Sequence, residues 1–213
     1  MSSKDLKFSS KLIHANHYED QYGSATVPIY QTSTFAFENA EHGAKCFAGE
    51  SKGYIYTRIG NPTVRSLEQM VAELENGYDG IGAVTTIYMA LLGKGMHMVS
   101  TGAVYGPSRV VIETLFAKFG VESTYVNTSD INSVVNAIKP NTSVLYLESP
   151  ANPTMEISDI KELARIAHEK GITVVVDNTF CSPYLQRPLD LGADVVFHSM
   201  TKYINGHADI VGG

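Results

Sequence analysis

The chain has 213 residues, 44% apolar and 18% charged, with a net charge of -6, enough to bury one sizeable core. The acidic balance and the lack of a basic stripe argue against a nucleic-acid partner, and no apolar run approaches membrane-spanning length. Met1-Ser2-Ser3-Lys4-Asp5 opens no signal-peptide core, and Cys46 and Cys181 are too few for a disulfide framework, so a reducing, cytoplasmic setting is expected.

Residues 1–62 read as an irregular arm rich in Ser, Thr, Tyr and Gly. Its close histidine pair, His14-x-x-His17, lacks an accompanying cysteine or carboxylate cluster, so no metal site is expected. A helix is predicted from Thr63, with Leu67, Met70, Val71 and Leu74 on one face and Asn76-Gly77 as its stop. Strand and helix signals then alternate. Strands are expected at Ile81 to Thr86, His97 to Ser100, Val121 to Asn127, Ser143 to Leu147, Thr173 to Asp177 and Ala193 to Ser199. Helices are expected at Gly106 to Phe119, Ser129 to Ile138 and Ser158 to Lys170, the last capped by Ser158 with Asp159. This pattern specifies an α/β fold, a mostly parallel sheet with helices on both faces, and no internal repeat. One spacing is anomalous: Ile87 to Gly95 is too short for a parallel crossover between the strands expected on either side.

The chemistry-bearing residues sit where strands end. The apolar run Thr173 to Val176 closes on Asp177-Asn178-Thr179, and a carboxylate there points into the crevice where open α/β sheets bind ligands. An isolated Asp in that place is ordinarily a loop cap; the alternative is an acceptor for a protonated ring nitrogen. One strand later comes His198-Ser199-Met200-Thr201-Lys202-Tyr203-Ile204-Asn205-Gly206-His207. A lysine beside Ser and Thr is ordinarily a solvated loop. An amine fixed at the mouth of a sheet also suits a Schiff base to pyridoxal 5'-phosphate, with the Ser199 and Thr201 hydroxyls donating to the phosphate. No G-x-G-x-x-G follows the first strand, which disfavours a nicotinamide enzyme.

Further motifs run in order along the chain: Pro28-Ile29-Tyr30-Gln31-Thr32-Ser33-Thr34-Phe35, Tyr54-Ile55-Tyr56-Thr57-Arg58-Ile59-Gly60-Asn61-Pro62-Thr63, Tyr105-Gly106 and Glu148-Ser149-Pro150-Ala151-Asn152-Pro153-Thr154. With Asp177-Asn178-Thr179 and the lysine run, the chain resembles the PLP-dependent transsulfuration family, and within it the methionine γ-lyase branch. The resemblance implies the aspartate aminotransferase-like large domain. It implies that Lys202 carries the cofactor and moves protons as a general base, and that Tyr105 stacks on the pyridine ring and acts on the leaving group. It places Asn152 on the phenolic oxygen, Asp177 on the ring nitrogen, and Ser199 and Thr201 on the phosphate. It also implies that Tyr56, Thr57 and Arg58 hold the phosphate of a neighbouring subunit's site. Without the resemblance, Arg58 reads as a surface cation and Tyr56 as a packing residue. A homo-oligomer follows, a dimer as the minimum active unit and a tetramer by resemblance.

The domain organisation expected is therefore an arm at 1–62 serving a neighbour and a truncated PLP-binding domain at 63–213, without the family's C-terminal domain or its carboxylate-binding arginine. The family's Ser-Gly-Met-like turn, whose amides hold the phosphate, is missing after Thr86. Pro107-Ser108 stands where methionine γ-lyases have a cysteine, and Met96 replaces a common acidic residue. The expected activity is γ-elimination by a carbon–sulfur lyase on methionine, homocysteine or cystathionine, giving a 2-oxo acid, ammonia and a thiol. The alternatives are a γ-replacement transferase of the cystathionine γ-synthase or O-acetylhomoserine sulfhydrylase type, and an inactive truncated paralogue.

Overall fold

The computed structural model describes residues 6–15 and 21–213, so His17 and the first five residues lie outside the description. Two compact units are present, one running through Ile81 and the other from Gly82 to Gly213.

Among the described residues the first unit carries three helices: α1 (Phe8–His14), α2 (Ala40–Phe47) and α3 (Pro62–Leu74). The first two lie in the arm that composition marks as irregular. What starts α2 is Asn39, whose side chain accepts from the His42 amide at 2.8 Å, with a Lys45–Glu41 pair one turn apart. For α3, Asn61 accepts from the Thr63 amide at 2.9 Å, Pro62 occupies the first turn, and Asn76 (φ 58) lets the chain leave the helix. The buried positions of α3 are Pro62 and the small Ser66 and Ala72 rather than the expected apolar stripe, since Leu67 is 42% exposed. Close to this helix start, Thr63 Oγ1 donates to the Pro28 carbonyl and accepts from the Tyr30 amide, both at 2.9 Å. Asn61 Nδ2 donates to the Tyr30 carbonyl, so side chains of the helix N-terminus hold backbone groups of the irregular segment around Pro28 to Tyr30.

The second unit is built on the parallel sheet that the apolar runs predict. Its strands are β1 (His97–Thr101), β2 (Glu122–Val126), β3 (Thr142–Glu148), β4 (Thr173–Asp177) and β5 (Val195–Phe197), in the order β2-β1-β3-β4-β5. The connecting helices are α4 (Val84–Leu91), α5 (Gly106–Val110, continued by tighter and looser turns to Phe119), α6 (Ile131–Ala137), α7 (Ile160–His168) and α8 (Ser182–Leu185). Asp130 caps α6 and Asp159 caps α7, accepting from the Asn132 and Glu162 amides at 3.0 Å each.

Strand alternation sorts the core into two layers. Val99, Leu145, Leu147, Val174 and Val176 pack with Val134 of α6 and with Leu163 and Ala167 of α7. Met98, Val144, Tyr146 and Val175 face the other way and pack with Tyr88, Leu92, Ile112 and Phe116. Helices therefore cover both faces of the sheet. Leu163 is fully buried, so Leu163→Ala is expected to cost about 2–5 kcal/mol in urea unfolding.

The strand expected at Ile81 to Thr86 does not form; helix α4 occupies this stretch from Val84 onward. The β-branched Val84-Thr85-Thr86 suggests a strand, yet Val84, Ile87, Tyr88, Leu91 and Leu92 recur at helical spacing and all contribute to one core layer. Tyr88 is 1% exposed, with its ring 5.8 Å from those of both Phe116 and Tyr146. With a helix feeding β1 directly, no crossover is needed between Ile87 and Gly95, and the anomaly in spacing disappears.

Candidate active site

Strand order reverses at β1, which lies between β2 and β3, so a crevice is expected above the carboxyl ends of β1 and β3. A cavity of about 310 Å³ opens there. Tyr105 enters it from the loop after β1, Glu148 and Asn152 from the end of β3, Asp177 and Thr179 from β4, and His198, Ser199 and Lys202 from β5. Ala83 and Val84, at the start of α4, and Phe180 and Phe197 add apolar wall.

Each polar group is held for a local reason. Asp177 is 6% exposed, and its Oδ1 accepts both the backbone amide and the hydroxyl of Thr179, at 3.0 and 2.5 Å. Burial pushes its pKa up, against the lowering effect of these two bonds and of nearby His198. Thr179 Oγ1 in turn accepts from the Ser199 amide at 2.9 Å, which ties the end of β4 to the start of the lysine turn. In that turn the Lys202 amide donates to the Ser199 carbonyl at 3.2 Å, and Gly206, at φ 76, closes back on the Lys202 carbonyl at 2.8 Å.

Glu148 is the register partner of Asp177 on the neighbouring strand and is 2% exposed. Its Oε2 accepts from the Tyr105 amide at 2.9 Å and its Oε1 from the Asn152 amide at 3.0 Å. Burial first, and then repulsion from Asp177, pushes its pKa up, while the two amides lower it.

Five of the nine residues expected in the site line this one cavity: Tyr105, Asn152, Asp177, Ser199 and Lys202. Thr201 lies in the same turn but outside the cavity wall, its Oγ1 accepting from the Gly212 amide at 3.1 Å. Tyr56, Thr57 and Arg58 belong to the first unit, where Thr34 and Tyr56 form an antiparallel bridge and the Thr57 amide donates to the Ser33 carbonyl at 2.9 Å. All three are exposed, and the Arg58 guanidinium lies 5.2 Å from the centre of the Tyr56 ring.

Glu148, Thr179 and His198 escaped the sequence reading as site residues. For Glu148 the signal was present, since it closes an apolar run just as Asp177 does. Among the described residues no cluster of three or more His, Cys, Asp or Glu side chains is placed to hold a metal, and no helix is long and apolar enough to cross a membrane.

The donor set is specific in kind. A primary amine, a buried carboxylate, a flat phenol, an amide and a hydroxyl surround one small cavity. These suit, in turn, an aldehyde, a protonated heteroaromatic nitrogen, a planar ring, a phenolic oxygen and a phosphate.

Known proteins agree with that chemistry. The family model described as Cys/Met metabolism PLP-dependent enzyme matches residues 9–213. The chain is 49% identical to the L-methionine gamma-lyase of Treponema denticola, across all of this chain and 56% of that protein. The crystal structure of metB from Corynebacterium glutamicum superposes with a TM-score of 0.91 at 42% identity, covering 100% of this chain and 55% of that one. The metY protein of Campylobacter jejuni, solved with a pyridoxyl-lysine phosphate, gives a TM-score of 0.92 at 30% identity over 98% of this chain and 53% of its own. The chain thus spans about half the length of the relatives it matches.

Proposed function

The chain belongs to the Cys/Met metabolism PLP-dependent enzyme family, and from that premise we propose that it is a carbon–sulfur lyase eliminating the γ-substituent of methionine, homocysteine or cystathionine. The observation that carries this reading is the convergence of Lys202, Asp177, Tyr105, Asn152 and Ser199 on one cavity at the carboxyl ends of the strands. When bound, pyridoxal phosphate would supply a protonated ring that withdraws electrons from the α-carbon of the amino-acid substrate.

The remaining roles fall to this chain. Lys202 Nζ would hold the aldehyde carbon and, when freed from it, would carry protons between substrate carbons. Asp177 would accept from the ring nitrogen, which would give its buried charge a cationic partner. The Tyr105 ring, on the cavity wall, would face the pyridine, and its hydroxyl would donate to the departing sulfur. Asn152 donates to the phenolic oxygen. Ser199 holds the phosphate, with Thr201 bracing the turn behind it. In this proposal the arm, residues 1–62, brings Tyr56, Thr57 and Arg58 to the phosphate of a second copy, so the active form is a homo-oligomer, a dimer at least and a tetramer by resemblance. Cys46 and Cys181 are unpaired, which supports a reducing, cytoplasmic setting.

Arg58→Ala should raise the cofactor concentration needed for half-saturation at least about tenfold, the scale of one lost charge-assisted contact. Mixing this variant with Lys202→Ala should restore part of the activity, because a mixed dimer rebuilds one complete site. The activity itself is tested by measuring 2-oxo acid and thiol release from methionine, homocysteine and cystathionine, with and without an added thiol acceptor. Release without acceptor supports the lyase. Turnover of an activated homoserine that requires the acceptor points to a replacement transferase, and no turnover with either substrate points to an inactive paralogue.

A further inference from the structure

We propose that Glu148 is a positioning residue that sets the two walls of the cofactor slot by clamping the backbones of Tyr105 and Asn152 with one carboxylate. The inference rests on the cofactor reading above for what fills the slot, but the clamp itself is built wholly from this chain. Glu148 Oε2 and Oε1 accept from the Tyr105 and Asn152 amides at 2.9 and 3.0 Å, so a single side chain ties the loop after β1 to the loop after its own strand. Neither the Tyr105 side chain nor that of Asn152 makes a hydrogen bond within the described residues, and Tyr105 is 54% exposed. Their placement is therefore inherited from the backbone, and the backbone at both points ends on Glu148.

The arrangement carries a cost that a purely structural role does not require. A second buried carboxylate stands in register with Asp177, and burial together with that neighbour disfavours its charge. A neutral glutamine of the same shape avoids the repulsion, yet it offers only one acceptor oxygen and turns an N–H toward the second amide. Of the two side chains, only the carboxyl of glutamate presents an acceptor oxygen to each loop. Tyr105 is the N-cap of α5, with the non-helical backbone of that position (φ -48, ψ 122), so its amide is free to reach Glu148 while its carbonyl receives the Ser108 and Arg109 amides at 2.9 and 3.2 Å.

The test is Glu148→Gln, read by hydrogen exchange on the cofactor-free chain and by circular dichroism of the bound cofactor. Exchange at the segments holding Tyr105 and Asn152 should rise at least about tenfold, with β3 and β4 unchanged, as expected for a local opening. The cofactor should still attach at Lys202, with an altered visible dichroism that reports a changed ring setting. Unchanged exchange at either segment, or a uniform rise across the sheet, overturns the clamp. Faster exchange with wild-type dichroism overturns the positioning role. If the wild-type chain takes up no cofactor, the proposed function fails, while the exchange experiment still decides whether Glu148 holds both loops. Should the glutamine variant not fold, Glu148→Asp, one methylene shorter and unable to span both amides, is read in the same way.

Discussion

Lys202→Ala is expected to lower 2-oxo acid release by at least about 10³-fold, because the variant loses both the amine that anchors the cofactor and the base that moves protons between substrate carbons. Pyridoxal phosphate can still enter the cavity, since Asp177, Asn152, Tyr105 and Ser199 remain on its walls. The expected signature is therefore a cofactor that dialyses away rather than a cavity that cannot accept one. The fold should persist: Lys202 is exposed, and only its backbone atoms serve the turn, through Ser199 and Gly206. Equal melting temperatures for the cofactor-free forms of variant and wild type are the accompanying control.

Asp177→Asn should produce the second-largest effect, with opposite signs in two assays. Activity should drop by about 10²-fold or more, because a neutral amide does not keep the ring nitrogen protonated and so weakens the electron sink. Stability of the cofactor-free chain should rise at neutral pH. Burial raises the Asp177 pKa, so the folded state binds its proton more readily than the unfolded state does. The penalty of ionising this group therefore grows as pH climbs from the ordinary aspartate value, near 4, through the raised value of the folded chain. The amide in place of the carboxyl removes the penalty, while its oxygen can still accept from Thr179. The variant should thus melt above wild type at pH 7, and the two should converge below about pH 4. Equal melting at both pH values would show that Asp177 is not strained by burial.

How much of this was legible in the sequence depended on how locally each feature is encoded. The strands β3 and β4 could be read because Val144 to Leu147 and Val174 to Val176 are continuous apolar runs, buried on both faces of a parallel sheet. Asp177 and Lys202 could be read because they close or follow such runs, where open sheets hold ligands. Helix α4 was misread because three β-branched residues, Val84, Thr85 and Thr86, outweighed the longer apolar period from Val84 to Leu92, which only packing beneath Phe116 and Tyr146 makes decisive. Glu148 and Thr179 were quoted within motifs yet had no role, since their work is done through backbone amides of residues far away in the chain: Glu148 is 43 positions from Tyr105, and Thr179 is 20 from Ser199. Such distances are set by strand order, which a local pattern does not encode. The stretch Tyr56-Thr57-Arg58 has a role by resemblance alone, because exposed side chains on an irregular segment leave no periodic trace.

The most direct test of the account is to load the purified chain with pyridoxal phosphate, reduce it with borohydride, and locate the modified residue by peptide mass spectrometry. The account predicts one modification, at Lys202, reduced in Asp177→Asn and lost in Lys202→Ala. Labelling spread over several surface lysines, or none at all, would contradict the cofactor site and the proposed function together.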